Sequence, residues 1–170
     1  MKKSFTKKLS LLLVVMLLVN VFAVTAVSNT SLAATKKHTV GDFTVKVPTN
    51  FSKTEQADGI NEQAIFMKGN SVVLVQSTPV GMDISNDLLK SVLETTLKSM
   101  YSDNFKNLKF GTAKTGLGNA VSLKCTITNG TNSMPCRMYA VCKGESMFML
   151  LSMGTSAKVE KKILKSAKLK

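Results

Sequence analysis

The chain has one histidine, His38, no tryptophan and only ten acidic residues among 170. His38 has Asp42 as its only acidic neighbour in sequence. A Cys–His nucleophile would need it to reach a buried thiol across a sheet. Glu55, Asp58 and Glu62 lie in or beside a polar stretch and are read as solvated charges, not an acid/base pair. No phosphate-binding loop, nucleophile elbow or zinc spacing is present. Aromatic residues make up 6% of the chain and do not interleave with the basic ones, which argues against nucleic acid. These scarcities leave no assembled catalytic constellation and no cofactor motif, so the chain is expected not to be an enzyme.

What is abundant comes first at the N-terminus. Met1 to Lys8 carries four lysines, and Leu9 to Val27 is an apolar run broken only by Ser10, Asn20 and Thr25. That is the pattern of an export signal. Ser31-Leu32-Ala33 supplies small residues for cleavage ahead of Ala34, with Val24-Thr25-Ala26 as a second choice. Residues 1–33 are therefore expected to be a signal peptide and 34–170 a single domain, secreted or extracytoplasmic. The run of about 19 residues is also long enough to span a bilayer uncleaved, which would leave the domain membrane-tethered on the same side. The remaining chain of about 137 residues suffices for one core. It carries 19 Lys plus Arg against 10 Asp plus Glu, a balance of +9 that suits an acidic protein partner, an anionic envelope polymer or a membrane surface.

Hydrophobic periodicity places a helix over Ile84 to Tyr101. Its stripe is Ile84, Leu88, Leu89, Val92, Leu93, Leu97, Met100 and Tyr101, and Asp83 or Ser85 can cap it. Phe43, Val45 and Val47 alternate with Thr44 and Lys46 as a half-buried strand. Gln63 to Met67 and Val72 to Gln76 form a hairpin, whose second strand is apolar at four consecutive positions and so needs cover on both faces. Ser52 to Asn61 and Ser102 to Asn119 read as irregular, and Thr35 to Lys37 as a polar lead. Ala120 to Thr128, Met134 to Lys143 and Ser146 to Gly154 are strands. The Gly144-Glu145 turn sets Cys142 opposite Met147, Ala140 opposite Met149 and Met138 opposite Leu151. Ser156 can cap a last helix through about Lys165, with Val159, Ile163 and Leu164 inward and Lys158, Lys161, Lys162 and Lys165 facing water. The expected fold is α+β, an antiparallel β-sheet covered by helices on both faces.

Four features of the chain resemble the PsbP-like domain family. They are the Gly41-Asp42-Phe43-Thr44-Val45-Lys46-Val47-Pro48 opening, the Leu117-Gly118-Asn119-Ala120 step into a strand, the closing meander, and the terminal Ile163-Leu164-Lys165-Ser166-Ala167-Lys168 run. The resemblance implies an antiparallel sheet between helices, used as a non-enzymatic accessory or binding module, and carries over no catalytic residue.

Three constellations remain. With the turn Asn129 to Asn132, Cys125 and Cys136 fall directly opposite on adjacent strands, within reach of a disulfide at a non-hydrogen-bonded pair; three buried thiols in reducing surroundings are the alternative. Met134, Met138, Met147, Met149 and Met153 share a face with these cysteines, a set that would suit a soft metal such as Cu(I) or merely fill the core. The tail puts six lysines among residues 158–170 against Glu160 alone. It is read as either a solvated face or a contact for an anionic surface. The leading expectation is an extracytoplasmic binding or accessory module, with a soft-metal protein and an unrecognised hydrolase as alternatives.

Overall fold

The computed structural model describes residues 34–57, 62–100, 105–129 and 132–170. The export-signal segment 1–33 lies outside the described residues. The described chain runs β1 (Thr35–Val40), β2 (Phe43–Pro48), β3 (Ser52–Ala57), β4 (Glu62–Lys68), β5 (Ser71–Pro79) and α1 (Asn86–Met100). It continues with β6 (Phe105–Thr115), β7 (Gly118–Asn129), β8 (Asn132–Lys143), β9 (Ser146–Met153), α2 (Ala157–Ser166) and β10 (Lys168–Leu169).

Two meanders, β3 to β5 and β6 to β9, join through an antiparallel β5–β9 pairing into one seven-stranded sheet of order β3-β4-β5-β9-β8-β7-β6. The helix α1 connects them, which lets the second meander begin at the far edge and return to the first. Registers in the second meander are those the turns require: Cys142 faces Met147, Ala140 faces Met149, Met138 faces Leu151 and Cys125 faces Cys136. β5 is buried from Val72 through Thr78, and β9 is buried along its whole length. These two strands therefore need apolar cover above and below.

Alternating residues supply two cores. On one face Leu74, Leu123, Met147 and Met149 pack with Leu89 and Leu93 of α1 and with Ile84 before it. Ser85 starts α1, its Oγ accepting from the Leu88 N–H at 3.3 Å, and Asp87 sits in the first turn, where the helix dipole favours an anion. Leu88, expected in the buried stripe, is instead exposed. On the other face Val73, Val75, Phe148 and Leu150 meet Phe43, Val45 and Val47 of β2 and Ile163 and Leu164 of α2.

The expected α+β sandwich, with helices covering both faces of the sheet, is corrected here. The described chain is mostly antiparallel strand and holds two helices only. The second face is closed chiefly by a small sheet of order β1-β2-β10, with α2 beside it. The segments read as irregular or as a polar lead are strands too: β1, β3 and β6. Each is an edge strand, and edges carry polar and charged residues that hide the alternation of a half-buried strand. β6 adds a register shift between Lys106 and Lys109, with Asn107 at a φ of 58°, the local break by which edges resist further pairing.

Gly116, in the β6–β7 turn, joins α2 to the large sheet. Its N–H donates to the Leu164 carbonyl at 2.9 Å, and a Cβ at this position would overlap the Ala167 carbonyl oxygen and approach that of Lys165 within 2.7 Å. Because those neighbours are backbone atoms, they cannot move aside alone. Gly116→Ala is expected to cost about 1–3 kcal/mol by forcing the helix end away. A thermal melt checks this, and an unchanged midpoint would show that the helix end is not seated on the turn.

Candidate functional site

The helix α2 is built by a short sequence with a sharp division of faces. Ser156 caps it, its Oγ accepting from the Val159 N–H at 3.4 Å, and Lys165 stands in the last turn, where the dipole favours a cation. Val159, Glu160, Ile163 and Leu164 are buried against the sheet. Lys158, Lys161 and Lys165 are exposed and Lys162 is half-buried, so all four lie off the buried side.

Glu160 is the unexpected member of the inner face, at 2% exposure. Arg137 Nη1 on β8 donates to its Oε1 at 2.8 Å, Ser152 Oγ on β9 donates to the same oxygen at 2.7 Å, and Tyr139 OH on β8 donates to Oε2 at 3.1 Å. A buried carboxylate is tolerated only when paired and hydrogen-bonded in this way. Arg137 is the chain's only arginine. Its guanidinium is less strongly hydrated than an ammonium, which suits it to a partly buried pair. The carboxylate raises the Arg137 pKa, chiefly through that hydrogen bond. Burial first, and then the charge and hydrogen bond of Glu160, push the Tyr139 phenol from 10.0 up to about 12. Sequence reasoning set Glu160 against the tail lysines. Its helical phase, shared with Val159, Ile163 and Leu164, was the available sign that it points inward. The consequence is electrostatic: the one acidic residue of the tail is turned inward and neutralised, and the outer face of α2 keeps only cations.

The cysteines lie in the other core. Cys125 and Cys136 are buried and opposed, and all three cysteines are free thiols. The Cys136 side chain hydrogen-bonds to Cys125 and lowers the Cys125 pKa against the effect of burial. That bond, burial and the nearby charges of Cys125 and Glu160 hold Cys136 well above the ordinary thiol range. Cys142 stands apart, opposite Met147, and is pushed up to about 11, mainly by burial and then by Asp83. Met138, Met147, Met149 and Met153 are buried in the same core, and Met134 is partly buried against it, where thioethers pack with leucines. Among the described residues no group of three or more His, Cys, Asp or Glu could hold a metal ion.

His38 belongs to β1 on the opposite face, with its ring centroid 4.8 Å from that of Phe66 in an edge arrangement, so the large sheet separates it from every cysteine. Glu62 accepts the Gly41 N–H at 2.7 Å, a structural use, whereas Asp58 and the side chain of Glu55 lie outside the described residues. Among the described residues, a shallow hollow is lined by Asp87, Lys90, Ser91, Glu94 and Thr95 of α1.

No protein-family model matches the chain, and no curated protein does. A solved structure from Bacteroides thetaiotaomicron is similar at 13% sequence identity and a TM-score of 0.57, covering 82% of this chain and 49% of that one. The present chain thus spans about half the length of that structure, and the likeness speaks for the fold alone.

Two outcomes follow from this geometry. Folding buries Tyr139 as a neutral phenol, so the stability it contributes is whole below pH 10 and is lost as pH rises from there through about 12, the interval in which the unfolded chain has released the proton and the folded chain still holds it. Unfolding measured from pH 9 to 12 should therefore show a steeper alkaline decline for the wild type than for Tyr139→Phe, and parallel curves would remove the phenol from that role. The second outcome concerns oxidation. The opposed pair, with Cys125 as the more readily ionised thiol, is placed to form a Cys125–Cys136 bridge in an oxidising compartment. Mass mapping of unreduced exported protein should return that peptide pair with Cys142 free, and three alkylatable thiols would refute it. Closing so short a loop adds roughly 2–3 kcal/mol at most, so a reduced protein should remain folded.

Proposed function

We propose that the protein is a non-enzymatic extracytoplasmic accessory or binding module of the PsbP-like kind. In this reading Lys158, Lys161, Lys162 and Lys165 of α2 contact an anionic envelope component or an acidic protein. The observation that carries it is the inward turn of Glu160, which leaves the outer face of α2 with lysines alone among its charged residues. The N-terminal signal pattern supports an envelope location, and the basic balance of the chain supports an anionic partner. The buried pair also makes helix orientation a property of the fold: rotating α2 about its axis would strand a carboxylate without its donors and drive lysines toward the core.

A contact of this kind is electrostatic at the protein surface and is screened within about 10 Å at 0.1 M salt. Partners captured from the host envelope by the wild-type protein should therefore be released progressively as salt rises. A variant with glutamate at all four helix lysines should fail to capture them at low salt. Identical partners retained at identical salt by both proteins would reduce the helix to a solvated surface.

A further inference from the structure

The two ends of the described chain, 34–49 and 156–170, lie more than 100 residues apart in sequence and close in space. They form the cover layer over the second core: β1 and β2 from one end, α2 and β10 from the other. The joint is direct. The Lys46 N–H of β2 donates to Ser166 Oγ at the end of α2 at 2.7 Å, Lys168 of β10 pairs with Thr44 of β2, and the Lys170 N–H donates to the Asp42 carbonyl at 2.8 Å.

Charge is concentrated in this layer. Residues 34–49 and 156–170 hold nine lysines against Asp42 and Glu160, a balance of +7. Residues 50–155 hold ten basic and eight acidic residues, a balance of only +2. Glu160 is buried and paired, and Asp42, at the turn between β1 and β2, accepts from Ser146 Oγ. On β2 the buried positions Phe43, Val45 and Val47 face the core, which turns exposed Lys46 outward. Lys37 is its direct cross-strand partner and is also exposed. Two like charges placed directly opposite destabilise a sheet. Their juxtaposition is relieved when an anion lies across them.

We propose that this composite layer is a single binding face for an extended phosphate-bearing polyanion, running from the Lys37–Lys46 pair across Lys168 to the lysines of α2. The inference rests on the helix contact proposed above and extends it to the small sheet. Spacing suits a linear ligand: cross-strand partners stand about 4.5–5.5 Å apart at Cα, and helix residues three or four apart about 5–6 Å apart at Cβ. An inserting membrane contact is disfavoured by the same surface. Of the large exposed hydrophobic side chains among the described residues, Leu169 alone belongs to this layer, and it pairs with inward-facing Phe43. The outer face therefore offers cations without the apolar wedge that seats a protein in a bilayer interface.

The experiment titrates exported protein with linear polyphosphate, and separately with vesicles of phosphatidylglycerol and phosphatidylcholine, at several salt concentrations. Three proteins are compared: wild type, Lys37→Glu/Lys46→Glu, and the four-lysine helix variant, each with a thermal melt to establish folding. Wild type should bind polyphosphate with an affinity that falls steeply with salt. The double variant should bind about tenfold more weakly with a shallower salt slope, since each lost phosphate contact lowers that slope by about one. If charge reversal unfolds the small sheet, Lys37→Gln/Lys46→Gln takes its place, with the same direction of effect expected. Wild-type binding by the double variant with loss in the helix variant would overturn the composite face and leave the helix reading standing. No polyphosphate binding by the wild type, or binding to anionic vesicles only, would overturn the polyanion itself.

Discussion

The pairing of β5 with β9 is the constraint around which the molecule is built. Both strands are buried on both faces, and a sheet whose centre is apolar above and below cannot stop at a single cover. Fully burying one large aliphatic or aromatic side chain is worth about 1.5–3 kcal/mol, so Leu74 and Met149 on one face and Val75, Phe148 and Leu150 on the other together outweigh any local helix or strand preference. One face is closed by α1, which the chain can place there because a helix links the two meanders. The other is closed by the two ends of the described chain. This division explains why segments with few apolar residues of their own, such as Thr35 to Val40, are nonetheless ordered as strand: their neighbours are anchored by the core beneath.

Closing the second face with the ends has an electrostatic consequence. A thin layer has an inner surface committed to packing and an outer surface free to carry charge. Here the commitment extends to Glu160, whose carboxylate is taken out of water and satisfied by Arg137, Tyr139 and Ser152 from two neighbouring strands. A buried ion pair of this kind contributes little net stability, because desolvation offsets attraction, but it penalises every orientation of α2 in which its donors are lost. The same interaction therefore fixes the helix and sorts the charges of the tail. Lysine, with a long aliphatic stem and a strongly hydrated head, is suited to the outer positions, where it shields apolar surface and keeps its charge in water.

The elements legible from sequence and those hidden from it divide along one line. β2, β4, β5, β7, β8 and β9 have partners on both sides, and each shows alternation or an apolar run. β1, β3, β6 and β10 lie at sheet edges and show neither. Lys53 and Gln56 on β3, or Lys106, Lys109 and Lys114 on β6, read as loop because an edge strand is better protected from further pairing by charge than by hydrophobicity. Interior registers followed from turn length alone, since a slip of one residue would send Met138, Ala140 and Cys142 to the wrong face. Of the candidate site, the lysines of α2 and the opposition of Cys125 to Cys136 were readable, because both depend on local period and pairing.

The sequence by itself determined the core of this protein: which strands are central, how the second meander is registered, where α1 lies, and which side of α2 is apolar. Those properties follow from periods of two and of three to four residues, which are local. Only the tertiary structure decided what covers the second face, that Glu160 is a buried partner of Arg137 rather than a surface counter-charge, and that Lys46, with Lys37 directly across from it, stands beside the tail. These are contacts between segments from about 20 to more than 100 residues apart, and no local period records them, because they join residues that only the closed sheet brings together.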